Sequence, residues 1–287
     1  MTGASIVVLT HNRAVILKKS IPAMLKLDYP GEYEVIIVND GSKDNTKEAL
    51  SKFKNSSKIR IINQERQGTC KSRNNGMRAA KYPIVVTMDD DCLPAKDWLT
   101  RLVKGFDNPN VAMVSSYAEF GGTSTAWKKN ALEEVGFYDE DYFYYREDTD
   151  LVFRLLDAGY TTKIVRADYI HDHKLEKPKT LAAFIKHVIE RAGYHKNDVL
   201  LYKKHHVRAK KFLKVRLGFL VNPMDDFNRA TGRWQGNLNL SSPRGITFLE
   251  NKSAMHMLAI ILGGMAYVAL VKAVRLLASF RFKKLLI

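Results

Sequence analysis

A chain of 287 residues that is 46% hydrophobic is long enough for one or two domains with a sizeable core, and too apolar to be disordered. Two cysteines, Cys70 and Cys92, exclude a disulfide framework and a four-cysteine zinc site and suit a reducing compartment. The net charge of +16 lies wholly behind residue 173: residues 1–173 hold 24 basic and 24 acidic residues, and residues 174–287 hold 22 and six. A neutral front argues against a domain wrapped in nucleic acid, and a basic back predicts an anionic partner. The opening MTGASIVVLT has neither a basic n-region nor a long apolar h-region, which reads against a secretory signal.

In chain order, Ser5–Leu9 reads as a buried strand, and Ile16, Leu17, Ile21, Met24 and Leu25 recur at helical spacing within 13–27. Glu34–Val38 is a second strand, Asp44-Asn45-Thr46 opens a helix toward Phe53, and Ile59–Ile62 is a third strand. Ser72–Ala80 is helical, Ile84–Met88 is a fourth strand, and Pro94–Lys104 follows as a helix. Further on come an apolar run at Val111–Val114, a turn at Gly121–Thr125 and a helix over Ala126–Val135. The aromatic run Tyr142–Tyr145 leads into Glu147-Asp148 and a helix over Asp150–Ala158 that ends at Gly159. Strand–helix alternation with short connections predicts an α/β fold with a mostly parallel sheet and flanking helices. Ligands on such sheets sit beyond the carboxyl ends of the strands.

Polar residues follow those strands. Asp89-Asp90-Asp91 closes an apolar strand, and three adjacent carboxylates call for a cation with oxygen ligands; alternation leaves Asp89 and Asp91 facing one way and Asp90 another. A solvated loop or a cap for the next helix is the plainer explanation. Asp40-Gly41-Ser42 can accept from a base or ribose hydroxyl, or be an ordinary turn. Arg73, near a helix start, can pair with a diphosphate or with the aspartates, or lie on the surface. Glu147-Asp148 opens a helix, where a carboxylate is held ionised, or simply caps it. His171, and less so His173, can ligate a metal or touch a phosphate.

Taken together the motifs resemble a family 2 glycosyltransferase with a GT-A (Rossmann-like) fold. They are Val7–Arg13, Ile36–Thr46, Gly68–Asn74, Met88–Asp91 with Pro94, Leu132–Glu140, and Glu147–Leu151 with Arg154 and Gly159-Tyr160. The resemblance implies inverting transfer from a nucleotide-sugar donor. On it, Thr10, Asn12, Asp40, Arg73 and Asp89 bind the donor. Asp89 and Asp91 form the D-x-D motif that holds Mg²⁺ or Mn²⁺, with His171 as a further candidate ligand. Asp148 is the catalytic base, and Glu147 and Tyr145 mark the acceptor region. Two departures are Asn39 where an aspartate is usual and His11 where a tyrosine is usual; His11 receives no role.

This division gives a catalytic domain over 1–173, a basic helical extension over 174–250 and an apolar tail over 251–287. Residues 254–271 are apolar save His256 and are followed by Lys272, Arg275, Arg281, Lys283 and Lys284. A bilayer span, a half-embedded hairpin and a buried dimer helix all stay open for that stretch. Membrane association on the cytoplasmic face is expected, the basic cluster holding that end inside, and with it a lipid-linked or cell-surface glycan as acceptor. Three other readings are a decayed nucleotide-sugar-binding scaffold, a sugar-nucleotide nucleotidyltransferase, which lacks its Gly-rich basic loop here, and an RNA binder, for which no motif is present. No nucleic-acid partner is expected; a homodimer is compatible with the apolar tail.

Overall fold

The computed structural model describes residues 1–172, 178–231, 233–235, 239–241, 247–249 and 253–287. It divides the chain into two compact units, Met1–Leu175 and Glu176–Ile287. His173 lies outside the described residues.

The first unit runs β1 (Ala4–Thr10), α1 (Ala14–Leu25), β2 (Tyr33–Asp40), α2 (Thr46–Ser51), β3 (Ile59–Gln64), α3 (Thr69–Ala79), β4 (Ile84–Asp89), β5 (Cys92–Pro94), α4 (Trp98–Lys104), β6 (Val111–Ser115), β7 (Thr125–Lys128), α5 (Lys129–Val135), α6 (Glu147–Asp157), β8 (Thr161–Ile164) and β9 (Tyr169–His171). Seven strands form one sheet in the order β3-β2-β1-β4-β7-β6-β8. The pairs β1–β2, β2–β3, β1–β4 and β6–β8 are parallel, and β7 runs antiparallel to both β4 and β6. Helices cover both faces, so the strands are apolar on both: Ile6, Val8, Val35 and Ile37 are buried, and so are Val7, Ile36 and Val38. On one face α3 comes so near that a Cβ on Gly76 would lie 2.4 Å from Val7 Cγ1. The register pairs Leu9 with both Val38 and Asp89, so the tips that carry Thr10, Asp40 and Asp89 end at one level.

Two elements differ from the sequence expectation. Ala126 and Trp127 form strand rather than helix, because both are fully buried between β4 and β6, and helix begins only at Lys129. A local helical pattern yields there to ladder hydrogen bonds and to burial of an indole whose N–H reaches Thr87 Oγ1 at 3.2 Å. Likewise Cys92–Pro94 is an edge strand paired with β9, and the helix expected from Pro94 begins at Trp98.

The second unit runs α7 (Leu181–Gly193), α8 (Lys196–Lys204), α9 (His206–Phe212), β10 (Val215–Arg216), β11 (Leu220–Val221), α10 (Pro223–Thr231), β12 (Arg233–Gln235), β13 (Asn239–Ser241), β14 (Thr247–Leu249) and α11 (Ala254–Phe282). The apolar stretch at 254–271 is thus the first part of a 29-residue helix, which packs on α7, α8 and α10.

Candidate active site

The site gathers at the carboxyl ends of β1, β2 and β4, the N-terminus of α3 and the start of α6. Asp40 is 3% exposed, and its Oδ1 accepts from Gln67 N at 2.7 Å and Gln64 Nε2 at 2.9 Å, its Oδ2 from Gly68 N at 3.0 Å. Burial alone would raise this carboxyl, but donation from Gln67, Gln64, Ser72 and Gly68 holds it below the ordinary range, so it stays ionised. Asp40 thereby fixes the loop that starts α3. Gly41 is required beside it: its φ is +65°, and a Cβ would lie 2.7 Å from Arg66 N. Gly41→Ala is expected to cost about 2 kcal/mol by strain and by displacing this loop, read as a lower melting temperature together with weaker nucleotide binding.

The β1 tip is tied to the same loop. His11 Nε2 accepts from Asn12 Nδ2 at 3.1 Å, which makes Nδ1–H the donor to Asp40 O at 2.7 Å. Asn12 Oδ1 accepts from Lys43 N at 2.7 Å. His11 is therefore a brace between two strand tips, a role the sequence reading did not give it. The Thr10 hydroxyl donates to Asp90 Oδ2 at 2.6 Å, and both residues are buried. Desolvation pushes Asp90 up to about 6, and the Thr10 bond and Arg13 oppose this only in part. The middle aspartate thus bonds the β1 tip while its neighbours join the Asp89–Asp91–His171 cluster, and because β4 ends at Asp89 this separation is made by a turn rather than by the strand alternation expected.

Asp89, Asp91, Cys92 and His171 bring one donor atom each to within 4.8 Å of one another. The β5–β9 ladder pairs Cys92 with His171 and sets His171 Nε2 3.0 Å from Asp91 Oδ1. Carboxylates plus an imidazole suit Mn²⁺ or Mg²⁺, the imidazole favouring the former. Cys92 fits less well as a ligand: a thiolate suits softer metals than Mn²⁺ or Mg²⁺, and its buried Sγ lies 3.5 Å from Thr123 Oγ1. Asp89, Asp91 and His171 are the residues that could hold the ion.

Arg73 joins this acidic cluster to a second one. Its guanidinium lies 3.5 Å from Asp89 Oδ1, 3.4 Å from Glu147 Oε1 and 4.0 Å from Asp148 Oδ1. The Tyr138 hydroxyl donates to Asp148 Oδ1 at 2.8 Å. Asn74, next to Arg73, holds that tyrosine through Tyr138 N at 3.0 Å and Tyr138 O at 2.9 Å. From α6, Arg154 grips Phe137 O at 2.6 Å and Val135 O as well. Tyr138, Asn74 and Gln64 had no assigned role; the only sign of Tyr138 in the sequence is its place in Gly136-Phe137-Tyr138-Asp139. Tyr145 and Arg146 lie at φ +75° and +79°, left-handed values that bulky residues avoid, and this bend aims the start of α6 at Arg73.

Burial raises the carboxyls of Glu147 and Asp148, against the expectation that the helix start holds them ionised. Glu147 reaches about 7, with repulsion from Asp148 adding to desolvation and Arg73 opposing it; its Oε2 is buried with no hydrogen-bond partner among the described residues. Asp148 is raised chiefly by burial, against Arg73 and the Tyr138 hydroxyl. A carboxyl at about 7 in the folded state and 4.5 unfolded holds more protons when folded, so stability falls as pH rises through that window. Glu147→Gln is expected to flatten this slope. At pH 8 it gains on the order of 2 kcal/mol over the parent, and below pH 4.5 the two converge, as read from melting curves across pH.

The model of the family described as "Glycosyl transferase family 2" matches residues 5–173, which takes in every residue of this site. Glycosyltransferase AglE of Haloferax volcanii is 33% identical over 127 residues, 42% of each chain. The poly-beta-1,6-N-acetyl-D-glucosamine synthase of Staphylococcus epidermidis is 27% identical over 176 residues, 48% of this chain and 42% of its own. The chain therefore spans less than half the length of these relatives. Among solved structures, the mannosyltransferase PcManGT of Pyrobaculum calidifontis, in complex with GDP-Man and Mn2+, superposes with a TM-score of 0.58 at 20% identity, covering 97% of this chain and 75% of that one.

Proposed function

Because the chain belongs to glycosyl transferase family 2, we propose that it moves a sugar, with inversion, from a nucleotide-diphosphate donor to a hydroxyl or phosphate acceptor on a lipid-linked or cell-surface glycan. The observation that carries this is Arg73, one largely buried cation within 4.0 Å of an aspartate of the D-x-D motif and of the carboxylate at the start of α6. The GDP-Man and Mn2+ complex of the Pyrobaculum mannosyltransferase supports a nucleotide-sugar donor and a dication.

The sugar leaves its diphosphate through an oxocarbenium-like transition state, by analogy with glycoside hydrolysis. Negative charge gathers on the diphosphate, where Arg73 stabilises it. Asp89, Asp91 and His171 would hold a dication, which would supply Lewis-acid stabilisation when bound. Asp148 takes the acceptor proton. Tyr138 engages its Oδ1, which leaves Oδ2 for the acceptor, and the raised proton affinity makes it a stronger base than an exposed aspartate. Asp40, Asn12 and the loop they fix hold the nucleoside, and Tyr145 and Glu147 border the acceptor.

The second unit is read as membrane-associated, at the cytoplasmic face. Its α11 is long and apolar enough to cross a bilayer, and only 17% of its most apolar 18-residue window is buried. The core helix of a soluble protein is mostly buried.

The test is a panel of UDP-, GDP- and dTDP-sugars with membrane lipid extract as acceptor. Release of nucleotide with transfer of labelled sugar is expected, lost with EDTA and restored by Mn²⁺. Asp91→Asn is expected to raise the Mn²⁺ requirement at least tenfold. Transfer that survives chelation removes the metal from this reading, and no turnover of any donor overturns it.

A further inference from the structure

We propose that the second unit lies flat on an anionic bilayer, with α11 in the plane of the interface and lipid headgroup phosphates held by the cations of α9 and the β10–β11 hairpin. This rests on the membrane reading above and specifies its mode.

The outward face of α11 is apolar from Met255 to Phe280, with Arg281 exposed just beyond it. Met255, Leu258, Leu262, Met265, Leu277 and Phe280 are exposed at helical spacing, with only alanine, glycine and leucine between them on that face. At about 1.5 Å per residue this stripe is roughly 38 Å long, more than the ~30 Å hydrocarbon thickness a span has to match. It stays unbroken because the two cations in its path turn inward. Arg275 is fully buried, bonding Asp226 Oδ2 at 2.6 Å and Asp198 Oδ2 at 2.8 Å, and Lys272 donates to Val221 O at 3.0 Å. Of the five cations that follow the apolar stretch, these two are turned inward, while Arg281 and Lys283 stay exposed at the C-terminal end of α11.

The opposite face of α11 excludes crossing. At Gly264, in the middle of the apolar stretch, α10 approaches so closely that a Cβ would lie 2.4 Å from Phe227 and 2.8 Å from Thr231. Helix α10 carries Asp225, Asp226 and Arg229. A crossing α11 would drag these into hydrocarbon or strip α10 away and unpair Arg275, either of which costs several kcal/mol. Helix α7, packed beside α11, adds a second exposed apolar row of Leu181, Phe184, Ile185 and Ile189.

The phosphate ligands lie at the end of this platform. Lys210, Lys211, Lys214 and Arg216 line a shallow, open depression of about 480 Å³ with Val207 and Asn222. Lys214 is paired with Asp225 at 2.5 Å, whereas Lys210, Lys211 and Arg216 have no acidic partner among the described residues. The hairpin tip holds Leu217 at φ +50° and 82% exposed, a bulky apolar side chain kept outward at a conformational cost. The tail fastens this hairpin to the end of α11 through Ile287 N to Phe219 O at 2.8 Å and Val221 N to Ile287 O at 2.6 Å. Cations next to apolar side chains on one edge match the headgroup layer of an anionic leaflet.

The test uses the full chain with Leu258→Cys, Met265→Cys or Ala273→Cys, one at a time, each carrying a fluorophore; native Cys70 and Cys92 are buried and stay unlabelled. With phosphatidylglycerol-containing vesicles, lipids brominated at different depths are expected to quench all three at one shallow depth. A graded profile, deepest near 265, overturns the in-plane arrangement while leaving membrane association standing. The triple variant Lys210→Ala, Lys211→Ala, Arg216→Ala is expected to bind these vesicles on the order of a hundredfold more weakly, with its melting curve unchanged. Undiminished binding overturns the headgroup site. Inorganic phosphate that raises the melting temperature of the parent but not of this variant assigns the depression to a soluble ligand and overturns the lipid source. No vesicle binding, or a dimer that hides the stripe, overturns the membrane reading itself.

Discussion

Asp148→Asn is expected to lower the rate of sugar transfer by roughly 10³-fold while changing donor affinity by less than about threefold. Asparagine keeps the shape and can still accept from the Tyr138 hydroxyl, which donates to Oδ1 at 2.8 Å, so the loop that Tyr138 carries keeps its place. What is lost is the atom that takes the acceptor proton. Removing one negative charge near Arg73 also relieves burial cost, so the variant is expected to be no less stable than the parent. Single-turnover transfer and nucleotide titration on the same preparation check this. An equal loss of affinity and rate assigns Asp148 to donor binding. Tyr138→Phe separates orientation from chemistry: it keeps the base, so a fall in rate of about tenfold with a shifted acid limb of the pH profile is expected.

Arg73→Met is expected to be the most damaging single change for stability. The side chain of Arg73 is 14% exposed and stands among Asp89, Glu147 and Asp148, of which Glu147 is itself 4% exposed. Methionine fills much of the space but leaves three carboxylates facing one another, and breaking a buried pair this way costs about 3–5 kcal/mol. The sign with pH follows. Without the guanidinium, Glu147 and Asp148 rise further, so the loss is largest above pH 7 and shrinks as protonation removes the repulsion below about pH 5. Denaturant melts at pH 8 and pH 5 check this. A loss that does not depend on pH assigns Arg73 to packing alone. Transfer is expected to fall at least a hundredfold at any pH, since the developing charge on the diphosphate loses its fixed cation.

Much of the site was legible because it sits where short motifs meet strand ends. Asp40-Gly41-Ser42 and Asp89-Asp90-Asp91 declare themselves by following apolar runs; Asp90 was set apart by an assumed strand alternation, whereas the structure separates it by a turn after β4. His171 was less visible: a lone histidine more than 75 residues beyond the aspartates signals nothing until β9 pairs with β5. Tyr138 and Asn74 were hidden for the same reason, since their work is a contact between α3 and a loop 64 residues away. The helical reading of Ala126–Trp127 failed because periodicity cannot tell a short buried strand from a helix when the deciding partners are distant strands.

The sequence by itself determined the α/β class, the order of the motifs and the segregation of charge behind residue 173, because each follows from local periodicity, spacing or counting; the family came from the resemblance of those motifs to a known one. The tertiary structure decided three further things: that Arg73 bridges two acidic clusters, that His171 joins the aspartates, and that Lys272 and Arg275 turn away from the apolar face of α11. Each depends on which side of a helix or strand meets a distant partner. That choice is made by burial and by the demand that a buried charge find its counter-charge, and it has no signature in the residues taken one neighbourhood at a time.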